Sequence, residues 1–350
     1  TQNRSIRSFC GKIAIAWHEG SDRVLWFLGP ILSSAHAVHA SDGLPEGRCV
    51  RELLSPKQVA RAIGVSESSL KRWCDRGIIP TERTAGGHRR LPRDGVVRFI
   101  REGGYQVADP GVLGLPLSAG KTRLAVDVAK DRFREAVIEG NETTCRQLIF
   151  DVYLAGHPIS VICDQVIASA FHEIGDHWEC GDLEVFQERR ACEIAVRMIH
   201  ELRQTVPLPD GDSPLAFGST LDGDPYMLAV GMAELVLRDR GWNASSLGHM
   251  LPFDTIRVAV ESLQPKLVWL SVSAIRDQER FVAELNDLFL AVDATGGSLV
   301  IGGRCLPPEL RRQLRFNAFC DSFQNLEDFS RSLLSPSQRP SQSLGKGAAS

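Results

Sequence analysis

The chain has 350 residues, 43% hydrophobic and 24% charged, with a formal net charge of −3. That length exceeds what one hydrophobic core organises, so two or three domains are expected, and the near-neutral balance excludes a protein that coats nucleic acid along its whole length. Nine cysteines without a C-x-x-C pair signal neither a zinc site nor a disulfide framework, and they suit reduced thiols in a cytoplasm.

Residues 1–50 are poorly patterned and are read as an uncertain N-terminal extension without an assigned function. Their longest apolar stretch, VLWFLGPILSSAHAV, is interrupted by Gly, Pro and Ser and is too short to span a bilayer. No membrane partner is therefore expected.

Charge is distributed unevenly. From Arg51 to Glu102 there are 12 Lys/Arg against 6 Asp/Glu, whereas from Pro207 to Asp328 there are 10 against 17. A basic module joined to an acidic one points to polyanion contact at one end only. Within 51–102, Ser55-Pro56 reads as an N-cap with proline at the first helical position. Val59, Ala62 and Ile63 form an apolar face, and Gly64-Val65-Ser66 turns into a second helix near 67–75. That helix places Leu70 and Trp73 inward, leaving Ser68, Ser69, Lys71 and Arg72 to face a DNA groove at short range. ERTAGGHRRL then supplies a hairpin. Its Gly86-Gly87 turn lets backbone approach a phosphate, flanked by His88, Arg89 and Arg90. The segment resembles the MerR-type DNA-binding domain, in the variant that carries a T-x-G-G-H-R-R wing.

Residues 103–122, rich in Gly and Pro, read as a linker loop. Four helical segments follow near 124–139, 142–155, 158–178 and 183–205, separated by short breaks that imply an antiparallel four-helix bundle over 123–206. Beyond it the bursts PLAFGS, KLVWLSVS and SLVIGG alternate with helical runs at 227–240, 253–263 and 277–295, the pattern of a parallel α/β sheet over 207–333. The tail, 334–350, is Ser/Pro/Gln-rich and reads as disordered. The expected fold class is multidomain α plus α/β: a winged helix-turn-helix, then a four-helix bundle, then a flavodoxin-like (Rossmann-like) parallel sheet.

Ligands of such sheets sit at the carboxyl ends of strands. The segments there are the loop 222–229, LGHMLP at 247–252, SVS at 271–273 and Gly302-Gly303, whose small residues would leave room for a narrow insert. Neither a P-loop nor a G-x-G-x-x-G fingerprint is present. In the bundle, Trp178 and Glu188 form a W-x9-E pair aimed toward a cavity between bundle and sheet.

Across 53–333 the chain resembles light-responsive, adenosylcobalamin-binding MerR-type repressors of carotenoid genes, whose sensor is also similar to the cobalamin module of methionine synthase. In that family the sheet loop carries E/D-x-H-x-x-G, with a cobalt-binding His below the corrin, and the bundle carries W-x9-E-H above it. The resemblance implies a cofactor site at Trp178, Glu188, Asp224, Tyr226, Ser271, Ser273, Gly302 and Gly303. Here Tyr226 stands in place of the cobalt-binding His, Ala229 in place of the Gly, Arg189 in place of the His after Glu, and Glu179 in place of the His after Trp. A phenol that ionises near pH ~10 is a poor neutral donor to cobalt beside an imidazole, so cobalamin held through a histidine is not expected. The alternatives are cobalamin in another mode, haem held by Tyr226, His177 or His172, or no cofactor. No catalytic constellation and no metal cluster emerges.

The resulting expectation is a cytoplasmic transcription regulator, not an enzyme, that binds a palindromic duplex and self-associates as a dimer or tetramer. A corrinoid carrier or methyltransferase-type module is the other use of the same fold.

Overall fold

Ser55 accepts the Gln58 amide at 3.3 Å while Gln58 Oε1 accepts the Ser55 amide at 2.8 Å, a reciprocal capping box that starts α1 (Pro56–Ile63). In the computed structural model, which describes residues 52–117, 119–120, 124–180, 183–207, 209 and 211–334, α1 ends at Gly64 and α2 (Glu67–Asp75) begins on the Ser66 hydroxyl. The side chains of residues 177–180 lie outside the described part. β1 (Leu53–Leu54), β2 (Glu82–Arg83) and β3 (Arg89–Pro92) form an antiparallel sheet in the order β1-β3-β2, and α3 (Arg93–Gly103) follows. The expected winged helix-turn-helix is present. Leu70 is fully buried, and Trp73 packs against Phe99 and Tyr105 at 5.6 and 5.7 Å, joining α2 to α3 and to the chain that leaves it.

The segment after α3 differs from a plain loop. It contains a 3-10 turn at Pro110–Leu113 and buries Val107, Leu113, Leu115 and Ala119. Its polar backbone is satisfied by neighbours: Arg93 Nε donates to the Leu113 carbonyl at 2.6 Å, and the Gly120 amide donates to Asp151 Oδ1 at 2.8 Å. Gly and Pro mark where helices stop, but the apolar residues between them are what pin the segment down.

α4 (Val126–Glu139), α5 (Glu142–Leu154), a long rod and α8 (Val185–Arg203) make the bundle. The rod comprises α6 (Ile159–Val161), a π-helical stretch (Ile162–Ala168) and α7 (Ser169–Cys180). One apolar core runs from Leu54 through the bundle to Val236.

The last layer is a parallel sheet of β4 (Leu215–Thr220), β5 (Asn243–Ser246), β6 (Leu267–Ser271), β7 (Ser298–Gly302) and β8 (Ala318–Phe319), in the order β5-β4-β6-β7-β8. That is the flavodoxin-like order, with its switch point between β4 and β6. α9 (Leu228–Asp239) and α13 (Phe323–Leu334) cover one face, over Ala216, Trp269 and Val300. α10 (Phe253–Leu263) and α11 (Gln278–Ala294) cover the other, over Phe217, Val268 and Ile301, and the short α12 (Pro308–Arg311) adds Leu310 there. Bundle and sheet meet where α8 packs on α9, so closely that a Cβ on Gly231 would lie 3.4 Å from Ile199. Arg203 of α8 reaches Glu234 of α9 at 2.6 Å, and Glu234 also accepts the Ser246 amide at the edge strand β5.

Candidate functional site

The outer face of α2 is polar because its apolar residues are spent inward. Ser68, Lys71 and Arg72 are exposed and Ser69 half-buried. The Ser66 hydroxyl caps the helix and meets the hydroxyls of Ser68 and Ser69 at 2.9 Å each, while Arg72 donates to Ser69 Oγ at 3.3 Å. Lys71 is paired with Glu67 at 2.8 Å. At the hairpin tip Gly87 adopts a left-handed φ of 77°, which a side chain would strain, and its amide donates to the Thr84 carbonyl at 2.8 Å. Gly86, Gly87 and His88 are exposed; Arg89 and Arg90 are half-buried. Arg89 is paired with Asp75 of α2, and Arg90 donates to the Arg89 carbonyl at 3.4 Å. Two cations escaped the sequence reading. Arg76 and Arg83 are exposed and carry no acidic partner among the described residues. The i, i+4 spacing of Arg72 and Arg76 was the available signal.

At the sheet's switch point, the loop after β4 is closed by its own side chains. Asp224 is fully buried: Oδ1 accepts the Tyr226 amide at 3.1 Å, and Oδ2 accepts the amides of Ser273 at 2.5 Å and Ala274 at 3.2 Å. Burial pushes its carboxyl pKa up, against the pull of those three donors. The Asp224 carbonyl accepts Thr220 Oγ1, which in turn accepts the Met250 amide at 2.9 Å. Gly223 has φ +83°, and a Cβ there would lie 2.5 Å from Arg276 Nε, so the arginine closes the loop from outside. Asp224 thus ties the β4 and β6 loops together.

Ser271 is buried at the end of β6, paired in register with Thr220 and Gly302. Ser273 is half-buried, and its carbonyl accepts the Cys305 thiol at 2.8 Å. Gly302 and Gly303 permit backbone packing: a Cβ on Gly302 would lie 2.7 Å from the Cys320 carbonyl oxygen, and one on Gly303 would collide with that of Val272. The room these glycines leave is filled by the protein. The same holds at Gly218, against which the indole of Trp269 lies.

Across the seam, Glu188 in the first turn of α8 accepts the Cys192 thiol at 3.3 Å, and Arg189 Nε sits 3.4 Å from Glu188 Oε2. Burial pushes the Cys192 thiol up to about 12, Glu188 adding to the shift. The Arg189 guanidinium lies 5.9 Å from the centre of the Tyr226 ring. Glu188 and Tyr226 are therefore brought to one seam, with Arg189 between them. The side chains of Trp178, His177 and Glu179 lie outside the described residues. His172 is on α7; desolvation first, and the charge of Arg304 second, lower its pKa. Among the described residues no three His, Cys, Asp or Glu gather as metal ligands, and no helix is long and apolar enough to cross a membrane.

Comparison with known proteins divides the chain in the same sense. A helix-turn-helix domain family matches residues 53–104, and a B12 binding domain family matches residues 129–202. This chain joins the two. It is similar to the HTH-type transcriptional repressor CarH of Myxococcus xanthus, with 25% identity over 249 residues, 65% of this chain and 82% of that protein. Among solved structures it is similar to the monomethylamine corrinoid protein of Methanosarcina barkeri, with a TM-score of 0.49 and 15% identity, covering 60% of this chain and all of that one. A cobalamin-binding protein from Desulfitobacterium hafniense gives a TM-score of 0.34 at 14% identity, over 60% of this chain and 98% of that one.

At the position where the resemblance places a cobalt-binding imidazole, this chain carries no histidine. Tyr226 offers a phenol at the ligand position. The Arg189 guanidinium lies 5.9 Å from the centre of its ring.

Proposed function

We propose that this chain is a transcription regulator that binds duplex DNA through its winged helix-turn-helix and whose bundle–sheet module governs assembly or senses a ligand without a cobalt-bound histidine. The observation that carries the reading is the exposed polar set on α2 and its C-cap, Ser68, Lys71, Arg72 and Arg76, with the hairpin tied to the same helix through Arg89 and Asp75. Short hydroxyls and cations on one helix suit base edges and phosphates at close range. Self-association as a dimer or tetramer would set two such helices one DNA turn apart, about 34–36 Å, on a palindromic promoter site in the cytoplasm.

A corrinoid carrier would need a ligand for cobalt and an open cleft at the sheet's switch point. The buried Asp224 clamp and the phenol at Tyr226 favour the regulator instead.

The test is selection of duplexes from a random-sequence pool by the full chain, followed by salt titration of the enriched site. The expected result is one enriched inverted repeat, with log K falling linearly against log salt. Failure to retain any duplex at low salt overturns the reading. In parallel, incubation with adenosylcobalamin in darkness and desalting should leave the protein colourless; a retained corrinoid spectrum overturns the cofactor part alone.

A further inference from the structure

The C-terminal end of α3, the last helix of the DNA-reading unit, sends one side chain into the junction of the other two layers. Arg101 Nη1 lies 3.0 Å from Asp239 Oδ1 at the end of α9, and Nη2 donates to the His157 carbonyl at 2.8 Å. Its guanidinium also lies 4.5 Å from the centre of the Tyr153 ring in the bundle. The pair is nearly dry, with 13% of the Arg101 side chain and 10% of Asp239 exposed. Beyond it the charges continue. Arg240 Nη2 is 3.9 Å from Asp239 Oδ2 and 2.9 Å from Glu327 Oε1 on α13, and Glu327 also accepts from Arg331 at 2.7 Å and from the Ser160 hydroxyl of the bundle.

We infer that Arg101 is the positioning residue through which the bundle–sheet module fixes the orientation of the winged helix-turn-helix, with Asp239 as its latch. A guanidinium presents its donors in a rigid fork, so holding a carboxylate and a carbonyl at once sets angle as well as distance. A buried pair that loses one partner strands the other, so breaking it favours admitting water at Arg101 and Asp239 while the apolar core still holds the units together. α9 links this latch to the loop described above. It starts directly after Tyr226-Met227 and ends at Asp239, so its 12 residues form a lever about 18 Å long. A displacement at the Tyr226 end therefore reaches the residue that holds Arg101.

For DNA control this rests on the DNA-binding reading, but the latch is measurable without DNA. Spin labels on non-cysteine unnatural residues at exposed Lys57 and Val258 report the distance from reader to sheet in the full chain. The wild type should give one narrow distribution. Arg101→Ala and Asp239→Ala should each broaden it, with the double variant no broader than either single one. Arg101→Gln, which keeps a polar stem without the charge, and the near-isosteric Asp239→Asn should do the same where an alanine variant fails to fold, and Arg101→Lys should restore the narrow distribution only in part. On a two-half-site duplex, Arg101→Gln should change affinity about tenfold with the salt slope unchanged, because the phosphate contacts are intact. A narrow distribution and unaltered affinity in Arg101→Gln, or additive broadening in the double variant, overturns the latch. Should the wild type bind no DNA, the distance measurements still decide the latch, and only the functional reading falls.

Discussion

Arg89 of the wing reaches back to the recognition helix: its Nη2 lies 2.6 Å and its Nε 3.2 Å from one oxygen of Asp75. The residue that sequence assigns to phosphate is spent, in the free chain, on fixing the hairpin against α2. With 27% and 52% of the two side chains exposed, such a pair is worth under about 1 kcal/mol. While the pair is kept, Asp75 cancels part of the charge that Arg89 offers a phosphate. Asp75→Ala should strengthen binding at low salt and steepen the log K against log salt slope by roughly 0.9, as one more cation becomes free for the backbone. Arg76→Ala and Arg83→Ala should each flatten the slope by a similar amount. Fluorescence anisotropy across a salt series measures all three, and an Asp75→Ala slope equal to wild type would rule out Arg89 as a phosphate ligand.

Asp224 is a test of clamp against ligand. An asparagine of the same shape turns one of its two acceptor positions into a donor that faces a backbone N–H. Since Oδ1 serves Tyr226 and Oδ2 serves Ser273 and Ala274, neither flip satisfies all three amides. Asp224→Asn should cost about 1–3 kcal/mol in urea unfolding while leaving duplex affinity of the folded chain unchanged. A neutral substitution would show that the carboxylate does not tie the two loops.

The architecture was legible because each layer writes its own period. Ser55-Pro56, the Gly86-Gly87 turn and the three apolar strand bursts each mark an element locally. β5 and β8 were not legible. β5 reads Asn-Ala-Ser-Ser at the sheet edge, where Glu234 and the neighbouring strand supply the partners, and β8 is two residues long. The site divides in the same way. The family resemblance singles out Tyr226 and Arg189 separately, but not their approach to each other, since the two are brought together only by α8 packing on α9. Nor could spacing show that the space at Gly302 and Gly303 is filled by backbone of Cys320 and Val272, just past the ends of β8 and β6. Arg101 reads as one more cation of a basic module, although the fold spends it on Asp239, 138 residues away.

Gly218 of β4 packs against Trp269 of β6, whose indole occupies the space of a Cβ there. Gly218→Ala should overpack this contact at a cost of about 1–3 kcal/mol. Trp269→Ala removes the ring from a fully packed layer and should cost about 3–5 kcal/mol. Trp269→Phe should cost less than either, because the Trp269 Nε1 donor is buried with no acceptor among the described residues and the phenyl discards it. Thermal unfolding of the three variants gives the order. A Trp269→Phe protein less stable than Gly218→Ala would mean that the indole N–H is engaged.

His172 gives the seam between bundle and sheet a pH dependence. Its surroundings are mixed: desolvation and Arg304 disfavour the imidazolium, while Asp176 and Asp164 favour it, and the net effect is a pKa below the ordinary 6.5. The unfolded chain therefore takes up the proton first as pH falls. Between 6.5 and the lower folded value it binds more protons than the native state, so the stability His172 contributes is complete above 6.5 and is lost as pH drops through that window. Asp164 meanwhile holds the start of α13 by accepting the amides of Phe323 at 2.8 Å and Gln324 at 3.0 Å, and burial raises its own pKa. Its contribution runs in the opposite sense, falling as pH rises from the ordinary 3.8 through the raised folded value. Urea midpoints should therefore decline between pH 7 and 5.5 in the wild type and decline less in His172→Gln, which cannot be protonated beside Arg304. Arg304→Gln should also flatten the profile, by removing the positive charge that the imidazolium meets. Identical profiles for wild type and His172→Gln would place the acid sensitivity elsewhere in the chain.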